Sequence, residues 1–341
     1  MKKRIAVVLV ALALAALLPA AVFAGGQQSA STKTVTVQVG FGNSMFEPFG
    51  QGMKKWQSLV DEKGKGLLKI ELFPDSQLGN KTELIDSMLL GEPVVTLADG
   101  AFYADYGVKD FGIVFGPFLF DSWDQCWKLV DSNWYKHQST LLEEKGLKLL
   151  ASNYIYGDRH TLTTKPVHSV ADLKGLKIRV PNNQIQAIGM DVLGATSTCM
   201  SLGEVYQALQ AGTIDGAENP LATLYGRKLQ EVAKYLIMDG HVKNFTTLVC
   251  SAQFFDSLTE EQQDILVSTC KETGIYNNKL QQTAEAEYLQ KMKDAGVQVT
   301  ELTPEIHKEF KDAARPFYDK GDKFGWSDGL YETVLKAMRG K

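Results

Sequence analysis

Two arginines and an aspartate, Arg159, Arg179 and Asp99, have the residue types and the positions to bind an acid. Leu176, Ile178 and Val180 alternate as a strand, and Arg179 falls near its C-terminal end. Open α/β sheets bind ligands in the crevice beyond such ends, and a guanidinium there is a fixed fork of donors suited to a carboxylate. Arg159 lies twenty residues earlier, on what reads as a neighbouring strand. A lone arginine is more often half of a surface or interdomain ion pair; two at strand ends of one α/β half leave the binding and ion-pair readings both open. Asp99 ends the apolar run Val94 to Ala98, where it either caps a helix beginning at Gly100 or touches a ligand. His160 and His241 can each touch a ligand or hold a structural hydrogen bond.

Catalytic chemistry has little to stand on. The histidines at 137, 160, 168, 241 and 307 are scattered, and none belongs to a metal pattern such as HExxH. There is no Gly-x-Ser-x-Gly elbow, phosphate loop or paired-cysteine motif, so neither a metal nor a cofactor is expected. Cys126, Cys199, Cys250 and Cys270 are far apart, and buried free thiols are the expected state for 126, 250 and 270.

The elements that must position these residues are marked locally. Thr34 to Gly42 alternates as a first strand, with Asn43 in the loop leaving it. Asn182 or Asn183 caps a helix with Ile185, Ile188 and Val192 on its apolar face, and Ser201 with Glu204 has capping-box spacing. Thr213 to Gly216 reads as a short strand, and Asn219-Pro220 as the cap and first residue of a helix over 220–235. Trp123 to Leu142 reads as helical, Leu147 to Ser152 and His241 to Ser251 as strands. Thr259 and Gln262 open a helical pattern that lasts, with a weak point at Gly274, to about Ala295. At ~1.5 Å per residue it spans ~50 Å, more than one domain requires.

The N-terminus carries Lys2, Lys3 and Arg4, an apolar run from Ile5 to Leu18, and Val22-Phe23-Ala24. That is the pattern of a secretory signal peptide over 1–24, cut after Ala24. Fourteen apolar residues are short of a membrane span, for which about 20 are needed. Losing those three positive charges takes the formal net charge from −4 to −7, which argues against a nucleic-acid partner.

GLKIRVPN at 175–182, GEVYQALQAGTIDGAENP at 203–220 and FPDSQLGN at 73–80 together resemble the solute-binding proteins of tripartite ATP-independent periplasmic (TRAP) transporters, the DctP-like family. The resemblance implies an α/β, two-domain periplasmic-binding-protein-like fold with mixed sheets, a hinge cleft and a long helix spanning both domains. It implies domain I at 25–156 plus 245–284 and domain II at 157–244 plus 285–341. It implies a periplasmic monomer that delivers a small carboxylate to membrane permease subunits. By the same resemblance Arg179 clamps the carboxylate, Arg159 is the second arginine, Asn219 hydrogen-bonds the substrate, and Asp99 and Asn43 reach it from across the cleft. An ionised Asp99 favours hydroxyl donors over a second carboxylate, so a uronate, aldonate or keto-sugar acid is expected ahead of a C4-dicarboxylate. An exported sugar-acid enzyme and a ligand sensor docking on a membrane receptor are the alternatives from other classes.

Overall fold

The computed structural model describes residues 34–340, and the expected signal peptide lies outside them. Val37 and Val39 alternate inward along β1 (Val35–Gly40). There follow α1 (Pro48–Lys63), β2 (Leu68–Phe73), α2 (Lys81–Leu89), β3 (Val94–Ala98) and α3 (Gly100–Asp105). A 3-10 turn at Lys109–Phe115, α4 (Trp123–Asp131) and α5 (Asn133–Glu144) lead into β4 (Leu147–Thr163). A second set comprises β5 (Lys177–Val180), α6 (Gln184–Val192), β6 (Thr196–Cys199), α7 (Val205–Gln210), β7 (Gly216–Pro220) and α8 (Leu221–Gly226). The chain returns along β8 (Tyr235–Ser251) to α9 (Ala252–Asp256) and α10 (Glu260–Asp294). It ends in β9 (Gln298–Thr300), α11 (Pro304–Ala314), α12 (Gly321–Phe324) and α13 (Leu330–Met338).

The strand order is β2-β1-β3-β8-β4-β7-β5-β6, with β9 also beside β8. β1 pairs in parallel with β2 and β3, and β5 in parallel with β6 and β7. Two 17-residue antiparallel strands, β4 and β8, join these sets. β8 meets β3 through Thr247–Cys250 and β9 through Tyr235–Ile237, so each end serves a different set.

Several local expectations yield to this pairing. Residues 147–163 form one strand, because four register shifts against β8 bend it without ending it. The cap and first helical residue expected at Asn219-Pro220 move by one: both residues belong to β7, opposite His160 and Arg159, and Pro220 caps α8, which begins at Leu221. The helix expected over 220–235 shrinks to α8 and a 3-10 turn at Leu229–Glu231, since Tyr235 already belongs to β8. Ser132 splits the helix expected over 123–142, its hydroxyl accepting from Tyr135 N–H at 3.2 Å as the cap of α5. Cys126, Cys250 and Cys270 are buried free thiols and Cys199 is exposed.

α10 runs 35 residues from the Thr259–Gln262 capping box. Leu266 and Cys270 join the core around β1 and β2, whereas Ala284, Tyr288 and Met292 join the core around β7 and α8. Gly274 is a close approach and not a flaw: a Cβ there would meet Asn153 at 2.5 Å. The bulges of β4 leave backbone groups without ladder partners, and side chains of α10 take them. Asn278 Oδ1 accepts from Ile155 N–H at 2.7 Å, and its Nδ2 donates to Asn153 C=O at 2.8 Å. Asn277 donates to Ile155 C=O and Gln281 to Tyr156 C=O. α13 packs against α4, so the segment 285–341, expected with domain II, ends against helices of the first set.

Replacing Asn278 by alanine orphans two backbone groups, each worth about 1–3 kcal/mol when unsatisfied. Urea unfolding of Asn278→Ala should show a loss of about 2 kcal/mol with an unchanged slope. A loss under about 0.5 kcal/mol, the size of an ordinary surface substitution, would show that α10 does not hold the bulged segment.

Candidate ligand-binding cleft

Residues following β1, β2 and β3 line a cleft with residues at the ends of β5, β6 and β7, as expected where parallel strands end. Its volume is about 750 Å³, mouth included. The first set contributes Asn43, Lys81 and Asp99; the second contributes Arg179, Met200 and Asn219, with Arg159 and Asn244 from the joining strands.

Arg179 is 2% exposed. Its Nε and Nη2 both donate to the Met200 carbonyl, at 3.0 and 2.8 Å, and Nη1 has no partner. Burial lowers its pKa to about 10, opposed by Glu218 and reinforced by Arg159. It has no carboxylate salt-bridge partner among the described residues and keeps an open donor.

Arg159 is different. Its Nε and Nη2 grip Glu218 at 2.5 and 2.7 Å, and Nη1 donates to Asn244 Oδ1 at 3.0 Å. Arg159 and Arg179 are not on neighbouring strands, because β7 with Glu218 lies between β4 and β5. His241 stands behind Glu218, 3.3 Å from it and 3.1 Å from Asp239. Burial would raise Glu218, but Arg159 and His241 outweigh it and hold the carboxyl at about 2. Burial would lower His241, but Asp239 and Glu218 raise it to about 9. Four buried charges thus close among themselves, and Arg159 is largely spent before any ligand arrives.

Asp99 caps α3, its Oδ1 accepting from Ala101 N–H at 3.1 Å, and the residue also lines the cleft. Burial pushes its carboxyl above the usual range, while Lys81 and Arg159 pull it down. Asn43 lines the cleft with its amino group already shared by Glu47, Tyr156 and Thr223 at 2.5, 2.9 and 3.1 Å. Burial raises that Glu47 to about 7 against the hydrogen bonds it accepts. Asn219 is buried at the cleft wall and makes no side-chain hydrogen bond with the described residues.

His160 does not join them. Successive residues of a strand point opposite ways, so with Arg159 turned to the cleft His160 turns toward α10. There Nε2 lies 3.0 Å from Glu285 Oε1, and Nδ1 accepts from Gly240 N–H at 3.0 Å. Lys81, Glu218 and Asn244 were missed in sequence. Glu218 carried a usable signal: an acid inside the small, uncharged stretch around GAENP needs a buried cation.

A family model described as bacterial extracellular solute-binding protein, family 7 (DctP), matches residues 42–323. The 2,3-diketo-L-gulonate-binding periplasmic protein YiaO of Escherichia coli (strain K12) is 33% identical over 297 residues, covering 86% of this chain and 89% of that protein. A TRAP periplasmic solute binding protein from Ochrobacterium anthropi, solved with bound L-fuconate, gives a TM-score of 0.86 at 37% identity, covering 90% of this chain and 99% of that one. Another from Actinobacillus succinogenes 130Z, with bound L-galactonate, gives 0.86 at 35%, covering 90% and 100%. The chain belongs to family 7, the solute-binding proteins of TRAP transporters, and has their two-domain architecture. It is a binding protein, not an enzyme.

The buried quartet makes a signed prediction. A histidine whose pKa rises from 6.5 unfolded to about 9 folded stabilises fully below pH 6.5, and loses that contribution as pH rises through 9. The unfolding free energy of the wild type minus that of His241→Gln should therefore fall by about 3 kcal/mol between pH 6 and pH 10. A difference that stays level across this window would mean that His241 is not held as a cation.

Proposed function

We propose that this protein captures a polyhydroxylated monocarboxylate, a uronate, aldonate or keto-sugar acid, in the periplasm and delivers it as a monomer to TRAP permease subunits. The observation that carries the reading is the charge count of the cleft. Arg159 is neutralised by Glu218, Lys81 feels the charge of Asp99 without a salt bridge to it, and Arg179 has only Glu218 nearby, which Arg159 already holds. One uncompensated cation suits one carboxylate. Asp99 favours donors nearby and penalises a second carboxylate, which puts sugar acids ahead of C4-dicarboxylates. The ligands named for similar proteins, diketogulonate, L-fuconate and L-galactonate, support the same class.

Capture is by closure. We place the boundaries between the lobes near 156, 244 and 284, where the chain passes from one set of strands to the other. Arg179 docks the carboxylate with Asn219 beside it, and Asp99 and the remaining oxygen of Asn43 approach from the first set.

Removing one partner of a buried charge pair costs about 2–5 kcal/mol, so Arg179→Ala should weaken sugar-acid binding by roughly 30- to several-thousand-fold. Calorimetry on wild type and variant, against sugar acids and succinate or malate, measures this. Tight binding of the dicarboxylates with no heat from aldonates or uronates would reverse the choice of ligand. An unchanged dissociation constant in Arg179→Ala would remove that residue from the site.

A further inference from the structure

Lys81 is the first residue of α2, directly after the Asn80 cap. The start of a helix is electropositive, so a cation is locally disfavoured there. The capping box of Asn80 and Glu83 already satisfies this terminus without it. Its side chain instead lies in the cleft, with Nζ 4.4 Å from the centre of the Phe102 ring. Among the described residues the ammonium makes no hydrogen bond or ion pair. Burial lowers its pKa to about 8; Asp99 opposes that shift, and Arg159 and Arg179 add to it. An ammonium half-buried at the cleft wall, over an aromatic face and without an acceptor among the described residues, is a group awaiting one.

We propose that Lys81 is a specificity-determining residue which, with Asp99, forms a donor–acceptor pair reading hydroxyl groups at the end of the ligand remote from Arg179. The proposal rests on the sugar-acid reading above. A hydroxyl both accepts from the Lys81 ammonium and donates to the Asp99 carboxylate. A carboxylate satisfies Lys81 but is repelled by Asp99, an amine does the reverse, and a methyl group serves neither. The pair therefore selects polyols without adding net charge to the cleft. The missing hydrogen bonds of Lys81 also strengthen such selection, because a ligand lacking the hydroxyls leaves the ammonium without an acceptor.

The test is calorimetry on the full mature chain with L-galactonate as the probe, for wild type, Lys81→Met and Lys81→Arg. Lys81→Met should bind about 30-fold more weakly or worse. Its ligand-free Tm should be unchanged or higher, because a half-buried ammonium without a hydrogen-bond partner has been removed. Lys81→Arg should keep affinity at pH 7. Between pH 7 and pH 9 wild-type affinity should fall more than that of Lys81→Arg, since His241, Asp99, Arg159 and Arg179 are common to both. Lys81→Met binding within about threefold of wild type would overturn the proposal. So would a lowered ligand-free Tm with no rescue by arginine, which marks a structural role. If wild type binds neither L-galactonate nor other aldonates and uronates, the sugar-acid reading itself fails and this one falls with it.

Discussion

A buried guanidinium with no anion of its own governs this cleft. Keeping Arg179 charged at 2% exposure costs desolvation energy, and among the described residues its only hydrogen-bond acceptor is one backbone carbonyl, that of Met200. Such a state persists only if every neighbouring carboxylate is committed elsewhere. The quartet of Arg159, Glu218, His241 and Asp239 does this. Were Arg159 absent, Glu218 would be the nearest counter-ion for Arg179, and the cleft would neutralise itself before a ligand arrived. On this view Arg159 serves binding by occupying Glu218.

The geometry that permits such sorting comes from β4 and β8. Arg159 sits on β4, Glu218 on β7 beside it, and Arg179 one strand further, so a single sheet edge orders cation, anion, cation. β4 can serve both strand sets only by bending, and its bulges expose backbone groups that would be costly if left bare. The amides of α10 satisfy them. The long helix is therefore more than a strut along two cores: it stabilises the irregular stretch that joins the two strand sets.

How much of this could be read beforehand depends on the range of the forces. Arg179 at its strand end, Asp99 as a cap and α10 as an over-long helix follow from alternation, capping and length, which are local. Arg159 does form an ion pair, but a buried one between adjacent strands and not the surface or interdomain pair expected. Its partner could not be named because Glu218 comes into register only through sheet pairing. Asn219-Pro220 carried a true helix-start signal, which pairing with β4 displaced by one residue. His160 was attached to the cleft by sequence adjacency, and adjacency along a strand means opposite directions. Lys81 was passed over, since nothing local says that α2 lays its first residue over the Phe102 ring in the cleft.

The charges also explain why a ligand would be needed to hold the lobes together. A ligand shifts an open–closed equilibrium only by binding one state better than the other. Lys81 belongs to the first set and Arg179 to the second, so closing the empty cleft brings like charges together in a medium that screens them poorly. Asp99 offsets part of that repulsion but, standing beside Lys81, leaves Arg179 uncompensated. On the proposed reading a monocarboxylate would supply the missing charge and its hydroxyls would meet the groups on the other lobe. The anion and polyol ends would then act on different lobes of one molecule. A ligand with only one end would dock without favouring closure, because its contacts would be the same in both states.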